Sequence, residues 1–215
     1  MHKFNPANHK RLTSEERYKL MPPNLAIDEI KKIVDILHNN GEKKVNIADI
    51  GCGSGFFTIP LLKTITDAKD INTKIYALDI SEEMLSCIKE NIDGTDFSET
   101  QKDCVILTKC EESRITLNDK SMNIILTSNV FHEIEQRLNY LHEIKRVLKS
   151  GGYLFLIDWD KEDKILKMGP PVEERLSVYE TIKLLNAADF TDINTLPLYS
   201  SSFTIICRKS TTRRL

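Results

Sequence analysis

Nothing in the sequence approaches the roughly 20 consecutive apolar residues that a helix needs to cross a bilayer. The opening M-H-K-F-N-P also has no apolar stretch of the kind a signal peptide carries. The expectation is a cytoplasmic protein with no membrane partner. An excess of one charge is equally lacking: 30 Lys and Arg stand against 32 Asp and Glu, a formal net charge of −2. Such a balance creates no field to gather nucleic acid, so no nucleic-acid partner is expected. Cysteine occurs five times, at Cys52, Cys87, Cys104, Cys110 and Cys207, with no C-x-x-C pair. An odd, scattered set argues against both a zinc site and a disulfide framework, and no metal is expected.

What is present, 40% hydrophobic and 29% charged residues over 215 positions, suits one substantial core. Residues 1–23 are polar and broken by Pro6, Pro22 and Pro23, with one short helical candidate over 14–20 that Ser14 can cap. Too poor in apolar residues to fold alone, this segment either lies over the domain or stays mobile. The domain proper is expected over 24–208, with a basic tail over 209–215.

Within the domain, apolar periodicity predicts a helix over 24–39 and a strand over 45–50. A helix over 56–66 follows, then a strand over 74–78 and a helix opening at Ser81. Further strands are predicted at 104–108 and 122–127, a helix over 133–149 stopped by Ser150-Gly151-Gly152, and a strand at 153–157. A helix over 178–188 and a hairpin-like pair of strands at 192–196 and 202–207 close the pattern. Strands alternating with helices imply an α/β fold, a doubly wound parallel sheet with helices on both faces, in which ligands sit beyond the C-terminal ends of the strands.

At the end of the first strand the chain reads D-I-G-C-G-S-G, Asp49 to Gly55. Glycines two apart let the backbone turn sharply and let a ligand approach it, and the following helix offers free N–H groups. The dinucleotide fingerprint G-x-G-x-x-G wants a glycine where Phe56 stands, so a pyrophosphate ligand is disfavoured. On these residues alone the turn is either a ligand cradle or a connection that binds nothing. Asp79, at the end of the second strand, is placed to accept hydrogen bonds from both hydroxyls of a ribose; a helix-capping role is the other reading.

D-x-G-x-G-x-G resembles motif I of the class I S-adenosylmethionine (SAM) dependent methyltransferases. The phrase R-V-L-K-S-G-G-Y-L, Arg146 to Leu154, closely resembles the segment before their fifth strand. F-N-P near the start, L-M-P-P before the first long helix, and D-W followed by G-P-P-V-E-E-R resemble a small single-domain group related to the ubiquinone and menaquinone methylating enzymes. The resemblance implies a Rossmann-like seven-stranded sheet in the order 3-2-1-4-5-7-6 with strand 7 antiparallel. It implies SAM as cofactor, held by Asp49, Gly51, Cys52, Gly53, Gly55, Asp79, Ile80, Met84 and Asn129, and an N-terminal lid over it. Glu111 falls on the adenine-amino position with Glu112 beside it, although this chain has Glu and I-T-L-N where the family commonly has Asp and L-P-F-P, and the assignment could slip by one residue. An exposed acidic loop is the other reading.

Methyl transfer from a sulfonium is an in-line displacement that chiefly needs alignment and exclusion of water, with a base only where the acceptor loses a proton. His132, after the fourth strand, is the base candidate; it could equally cap the helix or bond to backbone. Phe4, Tyr18, Trp159 and Arg175 are candidates for the acceptor site, Trp159 being equally readable as a packing residue. H-E-I-E-Q at His132 lacks the second histidine of a zinc motif, and Tyr179 with Lys183 matches Y-x-x-x-K without the glycine pattern of a dehydrogenase. The function expected is methyl transfer to a small-molecule acceptor. The reading from another class is a SAM-binding sensor or partner protein that does not catalyse.

Overall fold

The computed structural model describes residues 14–67, 72–111, 114–162 and 169–211. These fall into two compact units that meet in sequence between Cys110 and Glu111.

The first unit opens on α1 (Glu15–Leu20), where the Ser14 hydroxyl accepts from the Arg17 N–H as an N-cap. In α2 (Pro23–Asn39) the first residue is proline, at the position where a missing N–H costs nothing, and Ala26, Ile27, Ile30, Ile33 and Val34 bury one stripe. Strand β1 (Asn46–Ile50) leads through the glycine turn into α3 (Thr58–Asp67). Strand β2 (Lys74–Asp79) pairs in parallel with β1 on one side and with β3 (Val105–Lys109) on the other. Between them run α4 (Glu82–Asp93), capped by Ser81, and α5 (Glu99–Lys102), closed by a Ser98–Gln101 capping box.

The second unit is built on β4 (Met122–Ser128), buried along its whole length, and β5 (Leu148–Trp159), its parallel neighbour. β5 pairs antiparallel with β7 (Ser202–Lys209), which pairs antiparallel with β6 (Phe190–Leu196). α6 (Arg137–Val147) connects β4 to β5, and α7 (Val178–Ala187) precedes β6. The seven strands run in the order β3-β2-β1-β4-β5-β7-β6, as the motif resemblance implies. No helix among the described residues is long and apolar enough to cross a membrane.

Two boundaries differ from expectation by more than two residues. The helix expected from residue 133 begins at Arg137, because Phe131–Glu133 forms a single tight turn whose carbonyls at Phe131 and His132 accept from the Arg137 guanidinium at 3.2 and 3.0 Å. At the far end the helix stops at Val147, and Leu148 already pairs with Met122. The next pair is Ile124 with Tyr153, so residues 149–152 bulge out of the ladder opposite Asn123. Gly151 takes a φ of +72°, and a Cβ on Gly152 would come within 3.1 Å of the Asn123 carbonyl. The glycines expected to stop a helix serve a bulge inside a strand.

Candidate functional site

In the first unit the glycine turn is built by backbone that only glycine takes without strain. Gly51, Gly53 and Gly55 have φ of +76°, +52° and +92°. Leu78, the penultimate residue of β2, accepts from both the Gly51 and Cys52 N–H groups at 2.8 and 3.0 Å, which folds the turn back onto the neighbouring strand end. Gly55 is fixed from below as well: a Cβ there would lie 2.9 Å from both Ile59 and Ile88 side chains.

Two carboxylates are built into this turn. Asp79 takes the Gly53 N–H on one oxygen and the Ser81 N–H on the other, each at 2.9 Å. It therefore ties the glycine turn to the start of α4 while its remaining lone pairs stay available. Burial raises its pKa, against the lowering effect of the Ser81, Gly53 and Ile80 N–H groups. Asp49 is deeper and accepts from the Thr58 hydroxyl at 2.6 Å, bracing β1 against the first residue of α3. Burial pushes its pKa up to about 6, opposed by the Thr58 hydrogen bond, with Asp79 a further cause of the rise.

Of the other expected cofactor residues in this unit, Met84 is buried with its N–H on the Ser81 cap, and Ile80 is half exposed. The Cys52 thiol packs with Ala77, Ile88 and Ile92 in an apolar cluster, which drives its pKa well up. Its side chain is core. Tyr18 stands on the turn: its ring lies 4.7 Å from that of Phe56, the residue after Gly55, and Phe56 meets Phe57 edge-on at 5.1 Å. The Arg17 guanidinium covers the Phe56 ring at 4.5 Å.

The first unit suits a ligand that carries positive charge. Two buried carboxylates with raised pKa values lose part of their desolvation penalty when a cation binds beside them. The Ser54 hydroxyl, inside the turn, is buried with no hydrogen-bond partner among the described residues. Such an orphaned group asks for a ligand atom or a water.

In the second unit the chemistry gathers on His132 and Asp158. Asp158 lies next to the C-terminal end of β5, fully buried, and accepts three hydrogen bonds: from the His132 N–H at 2.9 Å, from His132 Nδ1 at 2.7 Å and from the Trp159 N–H at 2.8 Å. An acceptor on Nδ1 assigns the proton there and leaves Nε2 as the basic nitrogen. Burial lowers the His132 pKa, but the Asp158 charge and hydrogen bond, helped by Glu133 and Glu174, outweigh it and the net shift is upward. Asp158 was not singled out in the sequence. Its one legible signal was a lone acidic residue at the C-terminal end of a predicted strand.

Trp159 is buried with its indole against Gly169, where a Cβ would meet the ring at 2.8 Å. Arg175 is buried too, its Nε donating to the Pro170 carbonyl at 2.9 Å. Asn129 holds a left-handed φ of +55°, which Asn tolerates, and its N–H donates to the Ile157 carbonyl. Glu111 exchanges backbone hydrogen bonds with Arg114 and is exposed. Phe4 and Glu112 lie outside the described residues. Tyr179 is exposed with the Lys183 ammonium over its ring at 4.3 Å, a solvated helix-face pair.

Known proteins similar to this chain are methyltransferases. A family model described as a methyltransferase domain matches residues 48–156. The chain is 28% identical over 140 residues to a tRNA N(3)-methylcytidine methyltransferase of Schizosaccharomyces pombe, covering 63% of this chain and 43% of that protein. It is 26% identical over 123 residues to a ubiquinone/menaquinone biosynthesis C-methyltransferase of Campylobacter jejuni, covering 57% and 48%. The chain thus spans about half the length of these curated relatives. A crystal structure of a SAM dependent methyltransferase from Aquifex aeolicus superposes with a TM-score of 0.76 at 29% identity, covering 96% of this chain and 100% of that one.

Proposed function

We propose that this chain, which belongs to the methyltransferase domain family, transfers a methyl group from SAM to a small-molecule acceptor that gives up a proton as it is methylated. The observation that carries this reading is the His132–Asp158 pair. When bound, SAM supplies an electrophilic methyl group on a sulfonium.

Asp79 and the glycine turn hold the cofactor. Asp79 accepts from the ribose hydroxyls on the lone pairs that Gly53 and Ser81 leave open, and Asp49 lends negative charge to a cationic ligand. Carried over from the motif resemblance, Glu111 takes the adenine amino group, Ile80, Met84 and Asn129 line the nucleoside, and residues 1–23 form a lid. His132 accepts the acceptor's proton at Nε2. Asp158 holds the imidazole in the tautomer that makes this possible and stabilises the imidazolium that forms, as an orienting carboxylate does beside any histidine base.

The base also separates the two kinds of acceptor named for the relatives. Cytidine N3 carries a lone pair and no proton, so its methylation requires no base; an enolisable carbon or a hydroxyl does require one. A histidine hydrogen-bonded to a fully buried carboxylate therefore favours the second kind. The test is incubation of the protein with methyl-labelled SAM and a cell extract split into small molecules and RNA. Label in the small-molecule fraction, lost in His132→Gln, is the expected result. Label in tRNA would overturn the acceptor class, and binding of SAM without transfer to either fraction would favour a non-catalytic sensor.

A further inference from the structure

A cation with no counter-charge among the described residues stands on α1. Arg17 lies in α1 with its guanidinium carbon 4.5 Å from the centre of the Phe56 ring, directly after the last glycine of the turn. Its Nε is buried without a hydrogen-bond partner, and among the described residues no carboxylate stands within ion-pair distance of it. Arg17 as a residue is only half-buried, so what is withdrawn from water without a partner is its Nε. A ring face beneath it supplies only part of what the lost hydration did. Burial accordingly lowers its pKa to about 10, the mark of a cation that still lacks its counter-charge.

We propose that Arg17 binds the α-carboxylate of the cofactor's methionyl group, so that α1 closes on the glycine turn through a ligand ion pair. This rests on the reading that the turn holds SAM. Charge is distributed to suit it: Asp49 and Asp79 supply negative charge on the strand-end side of the turn, and Arg17 is the cation on the Phe56 side. A guanidinium offers the planar fork that a carboxylate accepts on both oxygens. Phe56 and Tyr18 bound the approach, their rings tilted at 42° with centroids 4.7 Å apart.

The test compares two ligands that differ only in the carboxylate. Calorimetric affinities for SAM and for decarboxylated SAM are measured on the parent and on Arg17→Gln and Arg17→Lys. Arg17→Gln is expected to lose roughly 10- to 100-fold for SAM and less than about twofold for the decarboxylated ligand, with Arg17→Lys between. The parent should prefer SAM over its decarboxylated form by a similar factor. Equal losses for both ligands would make Arg17 a structural brace and overturn the proposal, as would no loss for SAM. Should Arg17→Gln fail to fold, the preference of the parent and of Arg17→Lys for one ligand over the other decides the same question. A parent that binds neither ligand would instead overturn the cofactor reading beneath it.

Discussion

At the scale of single residues, the site sets stability against binding. Asp49 holds its proton more tightly in the folded protein than unfolded, its pKa rising from 3.8 to about 6. Stability from this group is full below the unfolded value and lost as pH rises through about 6. Asp49→Asn is therefore expected to be the more stable protein at pH 8, by up to about 3 kcal/mol, and no more stable at pH 4, measured by urea unfolding without cofactor. The same variant should bind SAM less tightly, since it no longer offers a charge to a cation. His132 has the same sign from a different cause: the charge and hydrogen bond of Asp158, outweighing burial, raise its pKa above 6.5, so the stability it contributes is lost as pH rises through the folded value. The proposed proton transfer needs the neutral ring, and the acid limb of kcat/KM should then lie above pH 6.5. Asp158→Asn should move that limb to lower pH and cut kcat; an unmoved limb would remove His132 from the proton transfer. Arg17 and Asp158 were illegible for one reason. A sequence shows that a charge exists but not that its counter-charge is missing, or lies 26 positions away.

At the scale of elements, two connections carry the architecture. The Arg146 guanidinium binds Glu143 and Asp119 and donates to the Ile115 and Leu117 carbonyls, so one side chain of α6 secures the segment that enters β4. Arg146→Ala should cost about 2 kcal/mol, read from denaturant unfolding, and Arg146→Lys should recover little, because a point charge cannot reach two carbonyls and two carboxylates at once. Gly55 secures the other connection. Gly55→Ala meets a φ of +92° and contacts of 2.9 Å with Ile59 and Ile88. It should cost about 1–3 kcal/mol and weaken SAM binding, while Gly41→Ala, at a φ of +92° with open space around it, should lower stability without touching affinity. Elements with long periodic faces, α2 and α6, were readable because burial acts on every third or fourth residue. α5 is four residues long and shows no period, and the 149–152 bulge uses the same Ser-Gly-Gly that would stop a helix.

At the scale of the whole molecule, the strand order followed from two short phrases about a hundred residues apart rather than from hydrophobic pattern. Periodicity predicts alternation, and alternation leaves the order of strands open; D-x-G-x-G-x-G and R-V-L-K-S-G-G-Y-L supplied it. The acceptor was less legible, because the residues that would select it belong to loops and to the N-terminal segment. Relatives named for a quinone-pathway carbon and for a tRNA base share this domain. The proposed choice between them rests on one buried carboxylate behind one histidine. A ligand that binds only the folded state raises its stability by mass action, so SAM should raise the melting temperature of the protein progressively with concentration.

Whether the glycine turn and Asp79 hold SAM is decided by calorimetric titration of the parent and of Asp79→Ala with SAM. Saturable one-to-one binding is expected in the parent, with an affinity lower by about 30-fold or more in the variant, which leaves the Gly53 and Ser81 N–H groups unpaired and the ribose without its acceptor. Absence of binding in the parent, or equal binding in both proteins, would contradict it.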